Sequence, residues 1–190
     1  DNKLATKSAA LSRGIPVPEL YGTVERQLQV RAVDEQIQAL SSFVIKPAQG
    51  SGGKGILVIT GRDGDQFVKS SGALIGISDV KRHISNILAG LHSLGGRNDV
   101  AMIEALIDFD PGLKDYSFEG VPDIRIIVFR GVPVMAMMRC ATKASDGKAN
   151  LHQGAVGVGI DIGSGQAVAA VQQSALIAEH PDTGIGFDGL

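Results

Sequence analysis

Between Ser78 and Leu94 the apolar positions fall at Val80, Ile84, Ile87, Leu88, Leu91 and Leu94, spaced three, four and seven apart. That spacing predicts an amphipathic helix opened by Ser78 or Asp79, ended by Gly95-Gly96 and covering a sheet. Most other apolar runs are shorter and richer in β-branched residues. Phe43-Val44-Ile45-Lys46-Pro47 reads as a buried strand closed by proline, and Ile56 to Thr60 as its hairpin partner across Gly50-Ser51-Gly52-Gly53-Lys54-Gly55. Val100 to Ile107 predicts a strand, Asp108 to Gly120 a loop, and Ile124 to Phe129 with Val134 to Arg139 two strands around the turn 130–133. Ala155 to Ile160 and Ala167 to Val171 predict two more short antiparallel strands. Near the start, Lys3 to Arg13 predicts a helix stopped by Gly14 and a proline-stiffened stretch, Ile15-Pro16-Val17-Pro18. Asp34 is placed to cap a short helix carrying Ile37 and Leu40. Helices followed by a run of strands indicate an α+β fold rather than a doubly wound parallel sheet.

Composition narrows the function classes. The chain has 190 residues, 44% hydrophobic, with 18 basic and 20 acidic side chains for a formal charge of −2. It is long enough to bury a core without disulfides, and its balance of charge carries no footprint for nucleic acid or an anionic membrane, so neither is expected as a partner. No apolar run is long enough to span a bilayer, and the start lacks a signal-peptide pattern, which together with the single Cys140 points to a cytoplasmic protein. Four scattered histidines and one cysteine do not make a zinc site. Of 25 glycines only Gly14 and Gly22 precede position 50. The glycine-dependent feature therefore begins with the loop Gly50 to Gly55.

That loop matches the G-x-G-x-x-G spacing of a dinucleotide fold, but a strand and not a helix follows it. The fingerprint is therefore rejected. Walker A also fails, because Gly53-Lys54 is followed by Gly55 instead of Ser or Thr. A glycine loop between two strands suits a flap that donates backbone N–H groups to phosphates, the alternative being a plain hairpin tip. Lys46 ends an apolar strand four residues before it, where a cation must reach solvent or meet an anion. Asp123 and Arg125 share one face of their strand, and Arg139 ends a neighbouring one. A guanidinium there can receive a carboxylate or phosphoryl group, or pair with a carboxylate such as Asp123 at a lobe boundary.

Taken together, Asp1-Asn2-Lys3-Leu4, Gly14-Ile15-Pro16-Val17-Pro18, Phe43 to Pro47 with the glycine loop, Asp123-Ile124-Arg125, Arg139, and Asn150-Leu151-His152-Gln153-Gly154 resemble the ATP-grasp superfamily, closest to its alpha-L-glutamate ligase-like members. The resemblance spans Asp1 to about Gly165 and lies in the order and spacing of the motifs. It implies two lobes with antiparallel sheets around a nucleotide cleft. Residues 1–42 would be an N-terminal helical and linker segment leading in, 43–107 would form the small lobe with its glycine flap, and 108–190 would form part of the large lobe, its metal-binding end missing. It further implies an ATP- and magnesium-dependent ligase of the EC 6.3 class. Such an enzyme phosphorylates a carboxylate, lets an amine attack the acyl-phosphate, and releases ADP and phosphate.

By resemblance, Lys3, Lys46 and Gly50, Ser51, Gly52, Gly53, Lys54 and Gly55 would hold the ATP phosphates. Glu104, Ala105 and Ile107 would lie in the hinge that reads adenine; otherwise Glu104 is an exposed strand-edge carboxylate. Arg139, Arg125 and Asn150 would act in catalysis, and Asp123, Arg125, Arg139 and His152 would meet the substrate, the alternative for His152 being a plain exposed loop residue. The substrates would be a small-molecule or peptide carboxylate and an amino acid, glutamate being one candidate. No Glu-x-Asn occurs, so the metal ligands are unassigned, and Asp161, Asp182 and Asp188 lack the required setting. The expectation is a chain cut short before its metal-binding end. Two other readings stay open: a catalytically silent nucleotide-binding module, and an α+β binding domain with no nucleotide.

Overall fold

The computed structural model describes residues 2–190; Asp1, which begins the first motif, lies outside the described residues. The chain divides into two compact units, Asp1–Ile107 and Asp108–Leu190, each with its own sheet and core.

In the first unit, helix α1 (Lys3–Leu11) is followed by strand β1 (Leu20–Val24), a 3-10 turn, helix α2 (Val33–Ile37), strands β2 (Phe43–Pro47), β3 (Leu57–Asp63), β4 (Gln66–Lys69) and β5 (Leu74–Ile75), helix α3 (Ile77–Leu88) and strand β6 (Ala101–Glu104). The strands form one antiparallel sheet in the order β1-β6-β2-β3-β4-β5. Side chains alternate across it with the period of two. Phe43, Ile45, Ala101 and Ile103 pack into one core with Val80, Ile84, Ile87 and Leu88 of α3. Val44, Lys46, Met102 and Glu104 therefore share the opposite face, because Val44 pairs with Glu104 and Lys46 with Met102 across β2 and β6. Beside Lys46 and Met102, residues of α1 (Lys3, Thr6, Lys7 and Ala10) line a cavity on that face.

The helical period holds for α3 only as far as its first twelve residues. Gly90 then takes a left-handed φ of 79°, and a Cβ there would lie 2.4 Å from the Arg97 carbonyl oxygen. The chain turns at that close approach, leaving Leu91 68% exposed and Leu94 in a short 3-10 turn. Within residues 1–42, expected as a helical and linker segment, α1 and α2 are joined by β1, which forms an edge of the sheet. β1, β4 and β5 escaped the sequence reading because they are short and carry little apolar alternation, β1 and β5 forming the two edges of the sheet.

The second unit has a 3-10 turn (Pro111–Tyr116) within its first loop, then strands β7 (Asp123–Phe129), β8 (Val132–Cys140), β9 (Val156–Ile160), β10 (Ala167–Gln172) and β11 (Ala175–Ile177). They form an antiparallel meander in the order β11-β10-β9-β8-β7. Arg130 and Gly131, with φ of 50° and 85°, make the tight turn between β7 and β8. Gln173 and Ser174 make the equivalent turn before β11 in left-handed backbone without any glycine, so β11 carried no sequence signal. One face of this sheet packs Met138, Cys140, Val156, Val158 and Ala170 against Tyr116 and Phe187. Burial pushes the Cys140 thiol up to about 12, so it behaves as a core side chain. No helix among the described residues is long and apolar enough to cross a membrane.

Because Ile84 is fully buried between α3 and the first sheet, Ile84→Ala is expected to cost about 2–5 kcal/mol through lost contacts and the cavity left behind. A lower urea midpoint with an unchanged slope would show it.

Candidate functional site

In the first unit, the polar face of the sheet gathers the residues singled out on α1, β2 and β6. Asn2 caps α1, its side chain accepting from the N–H groups of Leu4 and Ala5 at 3.0 and 3.2 Å. Lys3 and Lys7 lie one turn apart on the same side of that helix. The Lys3 ammonium donates to the Gly50 carbonyl, joining the start of α1 to the start of the glycine loop. Its pKa is lowered, first by burial and then by the neighbouring positive charge of Lys46.

Glu104 is not an exposed edge carboxylate. It is 3% exposed, its Oε1 pairs with the Lys46 ammonium, and its Oε2 lies 3.2 Å from the Lys7 ammonium. Lys7 also donates to the Pro18 carbonyl. Despite the nearby charge, Oε2 has no hydrogen-bond partner. Lys3, Lys7, Lys46, Val17, Pro18 and Met102 line a cavity of about 270 Å³ beside it. Three ammonium groups thus line one cavity, where Lys7 and Lys46 share the buried Glu104 carboxylate and the charge of buried Asp99 reaches Lys3. In the expected hinge, the Ala105 N–H already donates to the Glu19 carbonyl at 2.8 Å, so Ala105 retains only its carbonyl for a base. Ile107 is half exposed at the end of the unit.

The glycine loop is exposed at Ser51, Gly52, Gly53 and Lys54 but anchored at both ends. Gly50 bridges Ser93. Asp99, 4% exposed, accepts from the Gln49 N–H at 3.0 Å, the Val100 N–H at 2.7 Å and the Ser93 hydroxyl at 2.5 Å, holding the loop's entry against the turn after α3. At the exit, His83 Nε2–H donates to the Gly55 carbonyl at 3.0 Å, and the His92 ring packs so closely that a Cβ on Gly55 would lie 2.5 Å from it. Burial lowers the His83 pKa, keeping the ring neutral. Lys7, Asp99, His83 and His92 were missed in the sequence. The one-turn spacing from Lys3 could have found Lys7, whereas the other three are brought to the loop only by the chain reversal after α3.

In the second unit, Asp123 and Arg139 are paired across β7 and β8 in direct register. Arg139 Nε donates to Asp123 Oδ1 at 2.6 Å and its Nη2 to the other oxygen, a two-pronged ion pair that raises the arginine's pKa. The ion pair foreseen as the alternative for this arginine therefore exists, and it fixes the guanidinium plane. Arg125 lies two residues along the same strand face and is exposed. Register places Asp123, Arg125, Met137, Arg139, Gly157 and Gly159 on this one face, opposite the core. Asn150 accepts from the His152 N–H at 3.1 Å and caps a 3-10 turn. Exposed His152 lines, with Met135, Met137, Leu151 and Gly157, an open trough of about 1080 Å³ that Arg125, Asp123 and Arg139 do not line. His180, without context in the sequence, is fully buried and donates from Nε2 to the Ala141 carbonyl at 2.9 Å.

The sugar-transfer associated ATP-grasp family model matches residues 1–190. The chain belongs to that family. Its α+β architecture, with two antiparallel sheets and few helices, accords with the ATP-grasp fold. Comparison with curated proteins returned no significant match. ATP-grasp proteins are in general ATP-dependent ligases, which sets the reaction class at that coarse level.

Gly55 combines a φ of 75° with the His92 contact, whereas Gly52, at 63°, has open space where a side chain would go. Gly55→Ala is therefore expected to cost about 1–3 kcal/mol and distinctly more than Gly52→Ala. Thermal unfolding of the two variants side by side checks the order.

Proposed function

We propose that the first unit binds ATP and that the protein is an ATP-dependent ligase joining a carboxylate to an amine through an acyl-phosphate, with an amino acid such as glutamate as one substrate. The observation that carries the reading is the gathering of Lys3, Lys7 and Lys46 around one cavity, with Lys7 and Lys46 paired to the buried carboxylate of Glu104. Lys3 stands in the first turn of α1, where the helix dipole disfavours a cation, and its pKa is depressed by burial and by Lys46. A polyphosphate relieves both penalties. The unfilled Oε2 of Glu104 suits an N–H donor such as the exocyclic amine of adenine, and the Ala105 carbonyl lies next along the strand. The loop Gly50 to Gly55, with left-handed backbone at Gly52, Gly53 and Gly55, can turn N–H groups toward phosphates.

In the second unit, Arg139, held flat by Asp123, and Arg125 on the same face supply guanidinium groups for the carboxylate substrate and the charge that develops on phosphoryl transfer. His152 lines the apolar trough, a place for the amine partner, and Asn150 holds the turn that carries it. Acyl-phosphate formation replaces a poor leaving group by phosphate, so these residues need to position and neutralise more than to exchange protons.

The magnesium implied by the resemblance finds no ligand set: among the described residues no group of three or more His, Cys, Asp or Glu side chains is placed to hold a metal. Asp161 Oδ1 accepts from the Ser164 N–H and hydroxyl at 2.7 and 2.8 Å, and Asp182 from the Lys143 N–H at 2.7 Å. A cytoplasmic setting suits the single buried thiol of Cys140.

Incubation with MgATP and a panel of amino acids is expected to release ADP and phosphate only when both a carboxylate and an amine are supplied. Because the family is described as sugar-transfer associated, sugar acids and amino sugars belong in the panel. ATP affinity should fall with rising pH earlier than a free lysine would lose its proton, since the depressed Lys3 pKa discharges that cation first. Tight ATP binding with no turnover on any pair would instead mark a catalytically silent nucleotide module.

A further inference from the structure

We infer that Lys7 is a positioning residue for the Glu104 carboxylate and that it sets which nucleobase edge this chain accepts. The inference rests on the nucleotide reading of the same cavity. Lys7 is 8% exposed, a rare position for a lysine unless its charge is matched. It is one of two ammonium groups on Glu104, and the two come from different elements: Lys46 of β2 holds Oε1, while Lys7 of α1 stands over Oε2.

The two contacts differ in kind. Lys7 spends a hydrogen bond on the Pro18 carbonyl, so its charge stabilises ionised Oε2 at 3.2 Å without filling that oxygen's acceptor sites. A carboxylate held this way presents an ionised, unoccupied acceptor. An amino group on the base satisfies it, whereas a keto oxygen at the same place sets two acceptors against each other in a buried site. The terminal torsion of a glutamate is soft. Without Lys7 the carboxylate is free to swing Oε2 onto Lys46 as well, and the acceptor that distinguishes amino from keto is lost. The phosphates, which lie with Lys3, Lys46 and the glycine loop in this reading, are not affected in the same way.

Calorimetric titration of the full chain with ATP and with inosine triphosphate, which replaces the 6-amino group by a keto oxygen, separates the possibilities. The wild-type protein is expected to prefer ATP by about tenfold or more. In Lys7→Met the preference should collapse to within about twofold, through weaker ATP binding and little change for inosine triphosphate. Lys7→Gln, whose amide can still donate to a carbonyl but has no charge, should lose it too, and it decides the matter if Lys7→Met does not fold. Retention of the wild-type preference in a folded variant, or an equal loss for both nucleotides, overturns the role of Lys7. Failure of the wild-type chain to bind either nucleotide overturns the nucleotide reading itself, and with it this inference.

Discussion

A carboxylate buried in the first sheet governs the arrangement of its polar face. An ionised glutamate at 3% exposure is tolerated only because two ammonium groups meet it. That requirement ties three elements together. β6 supplies Glu104, β2 supplies Lys46 two residues along the paired face, and α1 supplies Lys7 through its seat on the sheet. With Lys7 fixed, Lys3 falls one turn earlier and reaches the Gly50 carbonyl. The glycine loop is then held at its entry by Lys3, Asp99 and the bridge to Ser93, and at its exit by His83 and His92. Buried pairs of this kind add little net stability once desolvation is counted, so stability alone does not account for the charges here.

The second unit follows another logic. Its outer face carries an exposed Arg125 and a half-buried Arg139 on a sheet whose other side makes the core, and the constraint is the direct cross-strand register of Asp123 with Arg139. A guanidinium with two of its nitrogens bound to a carboxylate is oriented before any substrate arrives. Arg125, without that brace, remains adaptable. In the proposed reaction, a fixed and a movable cation on one face would serve a substrate whose charge shifts from carboxylate to acyl-phosphate.

Much of this was legible before any coordinates. The strand Phe43 to Pro47, the glycine hairpin, α3 and the β7–β8 pair carry clear periodicity, and their boundaries differ by a few residues at most, except where Gly90 ends α3 early. Lys46 and the loop could be read from position alone. Other features depend on contacts between residues far apart in sequence. Burial of Glu104 needs α1 laid over β6, a relation that no local pattern encodes, and so it could pass for an edge carboxylate. Asp99 and the two histidines reach the loop only because the chain reverses after α3. β11 follows a turn built from Gln173 and Ser174, whose left-handed backbone no glycine or asparagine announces.

Nucleotide binding by the lysine–carboxylate cluster of the first unit can be read directly. Titration of ATP into the wild-type chain and into Lys46→Met, with folding of both checked by circular dichroism, tests it most directly. The account requires saturable binding by the wild type and a loss of about tenfold or more in the variant, on the scale of a charged hydrogen bond withdrawn from a phosphate. Equal affinity in the two proteins, or no binding by a folded wild type, would contradict it.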